Sequence, residues 1–339
     1  AVRAIKAGAK EYIPLPPEPE LIAAVLQAVT EETKTMVFRD GAMGKVISLA
    51  DQVAPSDASI LITGESGTGK EVMARYLHSK SKRASRPFIS INCAAIPENL
   101  LESELFGHEK GAFTGAATRR VGKFEEANGG TLLLDEISEM DTRLQAKLLR
   151  AVQEREIDRV GGSKPVSIDI RVLATSNRDL QAEVKNGNFR EDLLFRLNVV
   201  SLQLPPLRDR PMDLEALSHH FIEKYSEANG VALRPLSEAT QTAIRNYPWP
   251  GNVRELENTM HRAVLLATGS EIQPDAIMLP DGSKPGEYSV SHEDSAPTMQ
   301  DTTGQIQDSS AVMGTSSLVG RTVADVERDL IINTLTHTL

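Results

Sequence analysis

Residues 64–71 read Gly64-Glu65-Ser66-Gly67-Thr68-Gly69-Lys70-Glu71. The run matches the phosphate-binding loop G-x-x-x-x-G-K-[ST] at every fixed position but the last. Before it, Ser59-Ile60-Leu61-Ile62-Thr63 has the composition of a short buried strand. After it, Glu71-Val72-Met73-Ala74-Arg75-Tyr76-Leu77 has that of a helix start. Strand, glycine-rich turn and helix are the context such a loop needs. Gly64, Gly67 and Gly69 allow backbone conformations that a Cβ forbids. The loop amides, those of Glu65, Ser66 and Thr68 among them, can then face an anion beside a helix N-terminus. Lys70 is placed to reach the β- and γ-phosphates. The alternative is a glycine-rich turn carrying a solvated lysine. Glu71 stands where Ser or Thr usually offers a hydroxyl to magnesium. A carboxylate can serve there directly or through water, with a different geometry.

Composition narrows the setting. The chain has 339 residues, 40% hydrophobic and 25% charged, which is ordinary for soluble globular protein and long enough for two or more domains. No apolar run approaches the ~20 residues of a membrane span, and no signal peptide opens the chain. The single cysteine, Cys93, excludes an internal disulfide framework and suits a reducing cytoplasm. A formal net charge of -10 excludes the whole chain as a polyanion-binding surface. Nucleic-acid contact would need a local basic patch or a missing segment. Both ends fall inside helical patterns, so a piece of a longer protein is expected.

Residues 1–29 read as helix, strand, helix, too little chain to fold alone. Residues 30–40 are a polar connector able to prolong the second helix. Arg86 to Asn92 is a second strand, and Asn92 ends it, either as a ligand-side residue or as a turn cap. The hexapeptide Gly111-Ala112-Phe113-Thr114-Gly115-Ala116 sets an aromatic ring between small residues. It is either a loop tip presenting Phe113 to a partner or a tight turn with Phe113 in the core.

Gly129 to Glu136 is an apolar strand ending in two carboxylates. Downstream of a phosphate loop, Asp135 would hold magnesium, directly or through its waters. Glu136 would orient and deprotonate the attacking water. A helix start rich in acids is the other reading. The next helix places Leu144, Leu148, Ala151 and Val152 on one face, as a core helix does. Ser167 to Asn177 is a further strand, and Asn177 at its end either senses the γ-phosphate or caps a turn. Arg190 and Arg196 lie on a helical stretch without sharing a tight face. They are two separate donors or two surface salt-bridge residues. Leu204 to Pro211 breaks the α/β pattern, and Met212 to Leu279 is helical only. In Trp249 to Leu256, Asn252 is a candidate cap. Arg254 lies in the first turn, where a positive charge is unfavourable unless an anion such as phosphate offsets it. Residues 281–317 have linker composition, and Thr322-Val323-Ala324-Asp325 opens a last helix.

Taken together, these residues resemble a bacterial enhancer-binding protein, the AAA+ activators of sigma-54 RNA polymerase. The loop with glutamate at its end, GAFTGA at 111–116, FExAxGGTLxLDE, FRxDLxxRL, LPPLRxR and WPGNxREL stand in the family's order over about residues 41–280. Residues 1–29 resemble the last third of a response-regulator receiver. Leu15 stands where that pattern has the lysine that contacts the phosphoryl group, which leaves ordinary aspartyl phosphorylation in question. The flagellar FlbD-type subgroup also has degenerate receivers.

The resemblance implies an α/β fold: an AAA+ P-loop parallel sheet with helices on both faces at 41–211, then a smaller all-helical lid at 212–280. A receiver remnant (1–29), a linker (30–40), a flexible linker (281–317) and the first helix of a truncated Fis-like helix-turn-helix (318–339) flank them. It implies ATP and magnesium at residues 64–71, with Asp135 and Glu136 serving metal and water. Asn92 restrains the catalytic glutamate, Ser176 and Asn177 form the first sensor, and Arg254 the second. Arg190 and Arg196 are arginine fingers supplied across a subunit boundary, and residues 111–116 engage sigma-54. The partners implied are the sigma-54 holoenzyme, further copies in a hexameric or similar ring (a dimer when inactive), and enhancer DNA through the C-terminal module; no membrane is implied. The function is ATP-driven remodelling of the holoenzyme toward the open complex. The other reading is a nucleotide-gated scaffold or DNA-binding regulator with little turnover.

Overall fold

The computed structural model describes residues 36–279. The expectations for residues 1–29, 281–317 and 318–339 lie outside them. Along the chain run α1 (Gly41–Val53), β1 (Ile60–Thr63), α2 (Lys70–Ser79), β2 (Phe88–Asn92), α3 (Glu98–Phe106), α4 (Lys123–Glu126) and β3 (Thr131–Asp135). Then come α5 (Thr142–Glu154), β4 (Glu156–Ile157), β5 (Val166–Ser167), β6 (Arg171–Ser176), α6 (Leu180–Lys185), α7 (Glu191–Leu197) and β7 (Val200–Gln203). Three more helices follow: α8 (Pro211–Asn229), α9 (Glu238–Asn246) and α10 (Asn252–Leu266).

Five strands form one sheet in the order β2-β3-β6-β1-β7, every pairing parallel. Parallel neighbours need crossovers, and helical crossovers cover both faces. The side chains follow, since alternate residues of a strand face opposite ways. Leu61, Leu132, Leu134, Val172 and Ala174 enter one core with α3, α5 and α7. Ile60, Ile62, Leu133, Leu173 and Leu202 enter another with α1 and α2. Each such buried aliphatic side chain contributes about 1.5–3 kcal/mol. The expected face of α5 is present, with Leu144, Leu148 and Ala151 buried and Val152 packed against them.

Two local expectations change, and one strand was not foreseen. Residues 36–40 are not helical; Asp40 is extended (φ -75°, ψ 141°), and its carboxylate caps α1 at the Ala42 amide. The strand read from Ser167 to Asn177 is broken, because β5 leaves to pair antiparallel with β4 while β6 starts at Arg171. The fifth strand, β7, sits at a sheet edge with Ser201 and Gln203 exposed, so its apolar pattern is weak.

Helices α8–α10 enclose a separate core from Leu207 to Leu279. Trp249 at its centre is fully buried and donates its indole N–H to the Ile244 carbonyl at 2.9 Å. Ligands in parallel α/β sheets bind outside the carboxyl ends of the strands. Here Asn92, Asp135, Ser176 and the 64–71 loop all stand at those ends.

Candidate active site at the strand ends

Residues 64–71 are gripped from the helical side. Gly67 has φ +78°, and a Cβ on it would lie 2.2 Å from the Gly251 carbonyl oxygen. Only glycine satisfies both conditions. The Gly67 carbonyl accepts the amides of Val253 (3.0 Å) and Arg254 (3.3 Å) at the start of α10. Asn252 is not the cap expected of it: Gly251 holds that position, and Asn252 takes φ +53°. Its buried amide donates to Ser66 O (3.0 Å) and Glu65 Oε2 (3.2 Å), while its Oδ1 accepts from Leu207 N (2.8 Å). Arg208 pairs with the Glu65 carboxylate at 2.6 and 2.9 Å and holds its pKa below the ordinary value. Buried Arg210 donates to Thr68 O at 3.0 Å. Arg208 and Arg210 belong to LPPLRxR, whose chemistry the sequence left unassigned.

Lys70 is buried. Its Nζ donates to Gly64 O (3.0 Å) and Glu65 O (3.2 Å) and lies 3.7 Å from Glu136 Oε1. Burial pushes the Lys70 pKa down, and Glu136 and Asp135 push back. Glu71 Oε1 accepts from Arg75 Nε (3.1 Å) and Nη2 (2.9 Å), one turn along α2.

Asp135 and Glu136 come together with Lys70. Asp135 accepts Thr175 Oγ1–H at 2.6 Å and Asn92 Nδ2–H at 2.9 Å, one on each carboxylate oxygen. In this structure the Asn92 amide is bonded to Asp135, the neighbour of Glu136. Its Oδ1 also caps the turn at Ala94 and Ala95. Glu136 has φ +54°, and its amide donates to Thr175 Oγ1 at 3.0 Å. Its Oε2 is buried without a hydrogen-bond partner. Glu136 thus combines a left-handed backbone with a buried acceptor that has no partner, a pairing that folded proteins rarely leave in place.

Thr175 was missed in favour of its neighbours. Ser176 spends its hydroxyl on the Arg178 backbone, and its carbonyl accepts Gly64 N at 3.3 Å. Asn177 is exposed past the strand end. The fold brings Thr175 to Asp135: Leu134 pairs with Ala174 in the β3–β6 register, and the residues that follow meet through the Thr175 hydroxyl, an alignment that spacing along the chain does not show. Among the described residues, no group of three or more His, Cys, Asp or Glu could hold a metal ion by itself.

Arg190 caps α7, pairs with Asp192 at 2.7 Å, and is half exposed. Arg196 is exposed beside Phe195, which is 72% exposed. Neither ion-pairs with Asp135 or Glu136 in its own chain among the described residues.

Phe113 lies outside the core. It is 43% exposed, its ring edge-on to His108 at 5.0 Å. Gly111 N donates to Ala116 O (2.9 Å) and Ala116 N to Phe113 O (3.0 Å), which closes the loop. Its base is tied to the β4–β5 connection. Glu109 N donates to Val160 O at 3.0 Å, and Arg159 reaches Glu109 (3.0 Å) and both oxygens of Glu125 (2.6 and 2.8 Å). These three charges were not singled out from the sequence, since they meet only through the fold.

The Sigma-54 interaction domain family matches residues 36–203, and the AAA+ ATPase lid domain family matches 208–291. The transcriptional regulatory protein FlbD of Caulobacter vibrioides is 66% identical over all of this chain and 72% of its own. The response regulator protein FleR of Pseudomonas aeruginosa is 53% identical over 82% of this chain and 60% of its own. The crystal structure of NtrX from Brucella abortus in complex with ATP superposes with a TM-score of 0.69 at 34% identity, over 83% of this chain and 65% of that one. This chain therefore spans less than two thirds of FleR and of the NtrX chain. With this fold, this loop and these matches, the chain belongs to the sigma-54-dependent transcriptional activators, whose core is an AAA+ ATPase.

Proposed function

We propose that the chain hydrolyses ATP at residues 64–71 and uses the turnover to drive the Gly111–Ala116 loop against the sigma-54 holoenzyme. The observation that carries the reading is Glu136. It is strained, its Oε2 is unpartnered, and it stands 3.7 Å from the Lys70 ammonium beside an Asp135 held by two donors. That is a base poised at the end of a phosphate loop.

Lys70 and the loop amides hold the triphosphate, and Arg254 faces it from α10. Glu136 takes the proton of the attacking water as the water oxygen bonds to the γ-phosphorus and the bond from that phosphorus to the β,γ-bridging oxygen breaks, releasing ADP and phosphate. Asp135, with Glu71 through water, are the carboxylates for magnesium, which when bound would neutralise phosphate charge. Among the described residues those carboxylates form no cage of three or more, so the ion would be held together with the nucleotide's phosphates. Arg190 and Arg196 are exposed and serve the site of the neighbouring subunit in a ring. The Glu109–Arg159–Glu125 cluster links the contact loop to the body that carries the site.

The test is ATPase rate per subunit against protein concentration. The rate should rise steeply as subunits assemble. A rate independent of concentration contradicts the shared site, and no turnover at any concentration contradicts the enzyme.

A further inference from the structure

Against the start of α2 lies a cavity of about 250 Å³, with Thr68, Gly69 and Val72 on one side and α8 and α10 on the other. Val37, Leu217, Phe221 and Val253 supply apolar wall, which suits a flat ring. Lys224 and Glu257 also line it. Val253 and Glu257 are four apart on α10 and share a face. The Val253 amide is bonded to Gly67 O, so Glu257 stands one turn, ~6 Å, farther from the phosphate loop. Phosphates on the loop therefore place a base beside Glu257.

Glu257 is held for a task its own contacts do not use. Its Oε1 accepts both Lys224 Nζ (2.7 Å) and Tyr225 OH (2.9 Å). Tyr225 is itself stacked on His261, ring centroids 3.9 Å apart. Oε2 has no donor among the described residues. Burial pushes the Glu257 pKa up, but Lys224 and Tyr225 outweigh it and hold it below the ordinary value. The carboxylate is thus ionised, fixed in position and half open.

We propose that Glu257 selects the base: its Oε2 accepts the 6-amino group of adenine, with the Lys224 ammonium beside ring N1. The proposal rests on residues 64–71 being the nucleotide loop. A carboxylate acceptor next to an ammonium donor matches the amine and the lone pair on that edge. Guanine turns a carbonyl oxygen toward the carboxylate, and acceptor against acceptor is disfavoured.

The experiment compares ATP with purine riboside triphosphate, which lacks only the 6-amino group. Each displaces a fluorescent ADP analogue from the whole chain and from Glu257→Ala and Glu257→Gln. The unsubstituted chain should favour ATP by about tenfold or more. Glu257→Ala should close that gap to about twofold through weaker ATP binding, with the affinity for purine riboside triphosphate unchanged once the weaker binding of the fluorescent probe is allowed for. Glu257→Gln, which keeps a carbonyl acceptor, should keep part of the gap. A gap that survives Glu257→Ala, or a loss equal for both nucleotides, overturns the proposal and leaves the loop assignment standing. Failure of the unsubstituted chain to bind either nucleotide overturns the loop assignment as well.

Discussion

At the scale of single residues, Glu136 concentrates the chemistry. Glu136→Gln keeps size and removes the base. ATP should bind near-normally while hydrolysis falls ~10²-fold or more; nucleotide binding and phosphate release measured side by side check it. Cys93 reports on the same strand ends. Burial first, then Asp135 and Glu136, push its thiol up to about 12, so it stays protonated at neutral pH and should alkylate slowly until the protein unfolds. The sign of the pH effect follows. Below about pH 8 folded and unfolded chains both keep the proton. Between about 9 and about 12 only the unfolded chain releases it, so stability falls through that window. Denaturant unfolding of the chain and of Cys93→Ala at pH 8 and 10.5 separates this contribution from the rest. Lys70, Asp135 and Glu136 were legible because a phosphate loop and a carboxylate-ended strand each carry a local pattern. Thr175 and Asn252 were not, because each acts across a strand register or between two cores that spacing along the chain does not show.

At the scale of elements, the junction of α10 with the phosphate loop is the tightest part of the site. Gly67→Ala would force a Cβ into the Gly251 carbonyl at φ +78°. A substitution incompatible with its backbone costs more than ~1 kcal/mol. ATP affinity is expected to fall by about tenfold, measured by displacement, with some loss of thermal stability. The β4–β5 connection matters through Arg159, whose side chain is 14% exposed between Glu109 and Glu125. Arg159→Ala leaves Glu125 without its hydrogen-bonded cation and Glu109 with only Arg119 at 3.8 Å, at a cost of about 2 kcal/mol. Nucleotide binding should survive while capture of sigma-54 weakens; thermal melts and a sigma-54 binding assay distinguish the two effects. Strands β1, β2 and β3 were legible as apolar runs bounded by turns. β4 and β5 were not, since two-residue strands carry no periodicity. β7 was hidden because its four residues, Val200 to Gln203, alternate apolar with polar side chains and give too short a run to stand out.

At the scale of the whole molecule, the sheet and the α8–α10 bundle have separate cores, and the phosphate loop lies where α10 meets the sheet. A shared site in a ring then predicts complementation. Arg196→Ala and Lys70→Ala, each inactive alone, should regain part of the ATPase rate when mixed, because some interfaces pair an intact loop with an intact arginine. An arginine finger elsewhere contributes ~10³–10⁵ in rate, so partial rescue stands well above background. Mixed rings that stay inactive would count against the shared site. The central claim joins that hydrolysis to the exposed ring of Phe113. It is tested most directly by capture of sigma-54 on the ADP–aluminium fluoride complex, for the unsubstituted chain and for Phe113→Ala and Thr114→Ala, with melting temperature and ATPase rate measured on the same samples. The account expects both variants to fold and hydrolyse ATP close to normally, Phe113→Ala to cost well under the ~3–5 kcal/mol of a core phenylalanine, and capture to fall sharply. A Phe113→Ala variant that melts early yet still captures sigma-54 would contradict it.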